Sequence, residues 1–230
     1  MAKNDLKLLG AWFSPFPLRV QIALNLKGLE YEFVEETLDS KSELLLKSNP
    51  VHKKIPVLIH ADKPICESAI IVQYIDEVWT NSPSILPSNA YDRAIARFWA
   101  AYIDDKLLVA MLNILVAEDE EAKRVLFAEL EEGFERMEDV LNKHSEGKAY
   151  FGGDSIGFID IVFGSFLGFF RVLEEMNGRI MLDEAKNPSL TKWAQTFAAH
   201  PAVKDVLPQT HKLVEFAKVS NQRRAAQAST

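Results

Sequence analysis

Apolar residues change their rhythm part-way along this chain. Up to Thr80 they fall in short runs separated by turn-forming residues; beyond Tyr91 they recur at helical spacing over long distances. Leu6-Lys7-Leu8-Leu9-Gly10-Ala11 reads as a buried strand. Pro15 opens a helix whose apolar positions Val20, Ala23, Leu24 and Leu26 keep the helical period, and Gly28 closes it. Tyr31 to Glu35 alternates as a second strand. A short helix around Ser42 to Lys47 ends at Asn49-Pro50. Pro56 to His60 is a third strand, and Ala61-Asp62-Lys63-Pro64 turns into a fourth, Ile65-Cys66. Glu67 to Trp79 is helical by period. The order strand-helix-strand-helix-strand-strand-helix predicts a four-stranded mixed sheet, a βαβ unit followed by a ββα unit.

Proline sharpens the division. Seven of the ten prolines precede Ser88, and none lies between Ser88 and Asn187. Long helices are therefore permitted only in the second part. They are expected over Asp92–Ala117, Glu120–Asn142, Ile159–Met176 and Leu190–Ala199, with a last one near His211–Lys218 and a short turn at Val203–Leu207. Two domains follow, 1–80 with the mixed sheet and 91–230 all-helical, joined by a linker at 81–90 with Asn, Ser and Pro in turn-like spacing.

Composition narrows the function classes. The formal net charge of -7 argues against nucleic acid as a partner, and Arg223-Arg224 sits in an Ala/Gln/Ser-rich tail that reads as frayed. The apolar stretch Ile156–Phe170 is too short and too interrupted, by Asp160, Ser165 and three glycines, to span a bilayer. No signal peptide is expected from the opening residues. A single cysteine, Cys66, allows no internal disulfide and fits a reducing compartment, the cytosol. The five histidines lack metal-ligand spacing, so no metal site is expected. Gly153-Asp-Ser155-Ile-Gly157 matches the nucleophile-elbow string, but it joins two helices where an elbow needs a strand.

Three short motifs each admit two readings. Ser14-Pro15 is a good helix cap; alternatively, a hydroxyl at the positive end of a helix can donate to a bound thiolate and so favour the ionised thiol. Lys53-Lys54-Ile55-Pro56-Val57 is a loop with two solvated lysines, or a turn with a cis Ile55-Pro56 bond that opens a strand. Glu67-Ser68 is a helix start, or a pair in which Ser68 and its neighbouring amides accept a carboxylate while Glu67 accepts an ammonium.

Taken together, Asn49–His60, Lys63–Ser68 and Ile71–Trp79 closely resemble the plant tau class of glutathione transferases. So do Ser14-Pro15-Phe16, Arg19-Val20, Arg97-Phe98-Trp99, Tyr150–Asp154 and Gly157–Ile161. The resemblance implies a thioredoxin-like first domain carrying a glutathione site and a helical domain that completes the pocket for an electrophile. By position, Ser14 would bond the glutathione sulfur, and Lys41 and Lys54 would meet the glycyl carboxylate. Ile55 would pair its backbone with the cysteinyl unit ahead of a cis Pro56, and Glu67 and Ser68 would hold the γ-glutamyl group. Two lysines, one glutamate and a helix start match a ligand with two carboxylates and one amine. Glutathione would be a co-substrate; no cofactor is implied. Gly157 and Asp160 fall where the fold opens its core helix with a capping box, and they read as structural.

For the apolar pocket the candidates are Trp12 and Phe16 beside Ser14, and Leu108, Leu112 and Leu115 on one helix face. Phe169, Leu213 and Phe216 would close the top. Tau enzymes often carry a Tyr or Arg on that helix face, and the Leu-rich stretch here implies a more apolar pocket. The expected function is conjugation of glutathione to small hydrophobic electrophiles, with hydroperoxide reduction as a side activity and a homodimer as the assembly. The alternative is a non-catalytic carrier of hydrophobic anions.

Overall fold

The computed structural model describes residues 5–37, 40–80 and 83–228. Asn81 and Ser82 of the expected linker lie outside the described residues. Strand β1 (Leu6–Gly10) runs parallel to β2 (Glu32–Glu35) and antiparallel to β3 (Val57–His60), which pairs antiparallel with β4 (Lys63–Cys66). The sheet order is β2-β1-β3-β4. Helix α1 (Pro15–Leu26) crosses from β1 to β2, α2 (Glu43–Ser48) precedes β3, and α3 (Ser68–Val78) follows β4. Both faces of the central strands are covered. Leu6, Leu8 and Leu58 pack with Leu18, Ile22, Ile71 and Ile75 of α1 and α3, while Leu9, Val57 and Ile59 meet Leu45 of α2.

The connection to the helices is tied down. Asp76 of α3 accepts from the amides of Ile85 and Leu86, both at 2.9 Å, and pairs with Lys27 Nζ at 2.8 Å. Lys27 Nζ also donates to the Pro83 carbonyl at 3.0 Å. Both ions are buried, and each finds the extra partners that such a pair needs.

Where the sequence predicts one helix over Asp92–Ala117, the chain forms α4 (Ala90–Tyr102) and α5 (Leu108–Val116), joined by a π-helical turn at Ile103–Leu107. There the Leu108 amide reaches back five residues to the Ile103 carbonyl. A π turn adds one residue without breaking the apolar pattern, so nothing in the period announces it. Helix α6 (Glu120–Ser145) follows, capped by Asp119, whose side chain accepts from the Ala122 amide.

The expected helix Ile159–Met176 is also two, α7 (Phe158–Gly164) and α8 (Leu167–Asn177). The break lies where the Val162 carbonyl is taken by Ser165 Oγ (2.8 Å) and approached by Arg19 Nη2 (3.4 Å). Gly164 is packed so closely that a Cβ there would stand 2.3 Å from the Phe197 ring. Every residue of α7 is buried. At its start, Asp160 accepts from the amides of Gly157, Gly152 and Phe151 (2.8, 2.9 and 2.9 Å) and from Trp193 Nε1 (2.7 Å). Gly157 offers no side chain, so only the Asp160 half of a capping box is made. Burial pushes the Asp160 pKa up to about 6 against the pull of these four donors.

Two helices remain, α9 (Pro188–Ala199) and α10 (Thr210–Ala228). The last is longer than expected. The tail read as frayed is helical, consistent with the helix preference of Ala, Gln and Arg. Among the described residues no helix is long and apolar enough to cross a membrane.

Candidate active site

Between the end of β1 and the start of α1 the chain makes a turn in which the Ser14 amide donates to the Ala11 carbonyl at 3.0 Å. Ser14 is the N-cap of α1 in extended backbone (φ -88°, ψ 129°), yet its side chain makes no capping bond. The residues that follow explain this. Pro17 at the third helical position has no N–H, which removes one of the two amides a serine cap usually accepts from, and the hydroxyl does not take the Phe16 amide either. The hydroxyl is left uncommitted.

Ser14 lies on the wall of two adjoining cavities. The first, about 440 Å³, is the more polar of the two and collects Ser14, Lys41, Lys54, Ile55, Glu67 and Ser68, together with Glu36, Thr37 and Asp104. The Ile55–Pro56 peptide is cis. Glu67 adopts φ 72° and ψ 115°, a conformation that costs a non-glycine residue about 1–3 kcal/mol, and it makes no capping bond of its own. Ser68 is the first residue of α3. Glu36 is committed to Ser42, accepting from its amide and hydroxyl at 3.2 and 2.5 Å. Lys41 and Lys54 form no ion pair with the described residues, and Glu67 faces only His52, at 4.0 Å. Two cations, Lys41 and Lys54, and the Glu67 carboxylate are therefore left without a close partner, while Glu36 keeps its charge but is held by neutral donors.

Behind Ser68 sits Arg19, fully buried. Its guanidinium forms a bidentate pair with Asp104 of the π turn (2.9 and 2.5 Å) and donates to Ser68 Oγ (3.3 Å) and Ser165 Oγ (3.1 Å). It lies 5.0 Å from the ring centres of both Phe16 and Phe166. One side chain thus joins α1, α3, the π turn and the α7–α8 break.

The second cavity, about 510 Å³, is mostly apolar. It is lined by Phe13, Phe16, Leu108, Leu112, Leu115, Phe169, Leu213 and Phe216, with Ser14 at one end. Trp12, expected here, is not among its walls; Phe13 takes that place, stacked on Phe216 with ring centres 4.1 Å apart. The Trp12 amide is held by Glu35 Oε1 at 3.1 Å, and its ring, 41% exposed, stands edge-on to Phe216 at 5.9 Å and faces a neighbouring groove with Gln21 and Lys212. Two adjacent aromatics in a turn carry no period to say which points inward.

Comparison with known proteins settles the family. Residues 4–77 match the model described as glutathione S-transferase, N-terminal domain, and residues 91–201 the corresponding C-terminal domain. Glutathione S-transferase U17 of Arabidopsis thaliana is 60% identical over 219 residues, 95% of this chain and 96% of the relative. The tau class glutathione S-transferase of mango, Mangifera indica, superposes with a TM-score of 0.92 at 60% identity, covering 95% of this chain and 99% of that one. This chain is a tau-class glutathione S-transferase. A rice glutathione transferase solved in complex with glutathione superposes with a TM-score of 0.89 at 36% identity, over 97% of this chain and 99% of that one.

The tau-class chain thus brings together all six side chains expected around the polar cavity and seven of the eight expected around the apolar one. Sequence reasoning missed Glu36, Asp104 and Phe13. Asp104 reads as part of a solvated acidic pair with Asp105; the buried Arg19 is the partner that could have pointed to it. Cys66 lies at the end of β4 beside Glu67. Burial, and then the Glu67 charge, push its pKa up and keep it in the thiol form.

Proposed function

We propose that this enzyme binds reduced glutathione in the polar cavity and adds its sulfur to small hydrophobic electrophiles held in the apolar one. The observation that carries the reading is the place of Ser14: an uncommitted hydroxyl on the wall where the two cavities meet. Residues 1–80 form the glutathione-binding domain, 81–90 the linker, and 91–230 the domain that completes the pocket. Lys41 and Lys54 take the glycyl carboxylate, Ile55 pairs with the cysteinyl backbone, and Glu67 and Ser68 hold the γ-glutamyl group. The rice relative's complex with glutathione supports glutathione as the ligand. Asp104, already neutralised by Arg19, completes that wall without adding a free charge.

Ser14 Oγ donates a hydrogen bond to the thiolate, which lowers the thiol pKa and leaves the proton to solvent. With an aryl halide, the sulfur attacks the halogen-bearing carbon, the C–S bond forms, and the halide departs with the bonding pair. With an organic hydroperoxide, the thiolate takes the distal oxygen and releases the alcohol. A second glutathione then converts the sulfenic acid to disulfide and water. The role is detoxification in the cytosol of a plant cell, by a homodimer in which the first domain of one subunit meets the helical domain of the other.

The test is Ser14→Ala, assayed with an aryl halide over about pH 6 to 9, a range that brackets an ordinary thiol. Turnover falls about a hundredfold near neutrality, as for loss of one preorganised donor, and recovers partly at high pH, while glutathione still binds. A variant as active as wild type at every pH removes Ser14 from the mechanism.

A further inference from the structure

We propose that Arg224 is a specificity-determining residue: it selects, among hydrophobic electrophiles, those that carry an anionic group such as a carboxylate or sulfonate. The proposal rests on the transferase reading of the two cavities and assigns their substrate class. Arg224 supplies the only charge on the described lining of the apolar cavity. No carboxylate faces it there, and it forms no ion pair with the described residues. On α5 the lining residues are Leu108, Leu112, Asn113, Leu115 and Val116, so no cation is contributed from that side.

The position follows from helix geometry. Leu213, then Phe216 and Ala217, then Ser220 and Asn221, then Arg224 recur three and four residues apart, one stripe of α10 that passes from apolar beside Ser14 to polar at the rim. Eight residues separate Phe216 from Arg224, about 12 Å of helix rise. Long side chains on a helix lean toward its N-terminus, which carries the guanidinium back over the cavity. Asn221 fixes this end of the stripe by donating from Nδ2 to the Leu115 carbonyl at 2.8 Å, at the end of α5. The electric dipole of α10 favours a cation in its last turns, but it favours Arg223 equally and does not choose a face. The stripe does. A planar, five-donor guanidinium at a greasy rim suits a carboxylate or sulfonate whose apolar body lies below it.

The experiment compares a neutral chlorodinitrobenzene with a chlorodinitrobenzoate that has the same leaving group, using wild type, Arg224→Gln, Arg224→Glu and Arg224→Lys. For the benzoate, kcat/KM falls about fivefold in the Gln variant and further in the Glu variant, through KM; the Lys variant keeps most of it. The neutral substrate changes by less than about twofold throughout, and added salt erases the preference of wild type. An unchanged benzoate-to-neutral ratio in Arg224→Glu overturns the proposal. Binding of an anilinonaphthalenesulfonate dye, competed by the benzoate, is followed in parallel. If wild type turns over neither substrate, the transferase reading fails, and the dye decides: affinity lost in Arg224→Glu sustains the anion site, and unchanged affinity removes it.

Discussion

The two cavities that meet at Ser14 are built by opposite means. Apart from Ser14 and Asp104, the charged and hydrogen-bonding groups of the polar one come from a single stretch of chain between Glu36 and Ala69, each placed by a local feature: a helix cap, a cis peptide, a strained backbone. The walls of the apolar one come from the β1–α1 turn, α5, α8 and α10, elements up to two hundred residues apart, and they meet by side-chain packing with a hydrogen bond from Asn221 to the Leu115 carbonyl. The first kind of wall can be altered only by changing a motif. The second changes with any residue on a helix face. A constant ligand belongs on one side and a variable one on the other.

Arg19 is where that contrast can be broken most severely, because it stands behind both walls. Replacing it with Leu leaves Asp104 and two buried serine hydroxyls without their partner. A loss of about 3 kcal/mol in urea unfolding is expected, with partial recovery when Asp104 is also made apolar. A near-neutral Arg19→Leu would mean that the two domains hold together without this tie.

A crossed pair sharpens the comparison. Lys54→Ala is expected to raise KM for glutathione about tenfold and to leave KM for a neutral electrophile alone. Leu112→Ala should do the reverse, by roughly fivefold, through lost contact in the apolar cavity. Initial-rate kinetics with both substrates varied give the answer. If either variant moves both constants, the cavities are not independent.

The smallest effect lies outside both. The Asp160 carboxyl holds its proton up to about 6 in the folded state, against 3.8 as its ordinary value. A raised folded pKa contributes stability that is present below the unfolded value and lost as pH rises through the folded one. Between about pH 8 and pH 5, wild type should therefore gain on the order of 1 kcal/mol relative to Asp160→Asn, read from paired denaturation curves. A relative loss on acidification would show that the four donors outweigh burial.

The same contrast governs what could be read from the sequence. Ser14, Lys54 and Glu67 stand beside prolines, strand ends and helix starts, so their places in the chain nearly fix their places in space, and the strand and helix order needed only period and punctuation. What escaped depends on partners far along the chain or on a change of phase. Asp104 needed the π turn and Arg19; the α7–α8 break needed the Arg19 contact with Val162. Phe13 and Trp12 differ only in which way a turn faces. Helix α10 runs past its expected end because its Ala/Gln/Arg tail looks like a solvated end until the stripe of Leu213 and Phe216 is continued through Ser220 and Arg224.

The clamp on the interdomain connection has one more consequence. A hinge requires backbone groups that can exchange partners as it bends, but Pro83, Ile85 and Leu86 are already bonded to Lys27 and Asp76. The described part of the connection is therefore held on the sheet side by these bonds and on the helical side by the Phe158 amide, which donates to the Ile85 carbonyl at 2.9 Å.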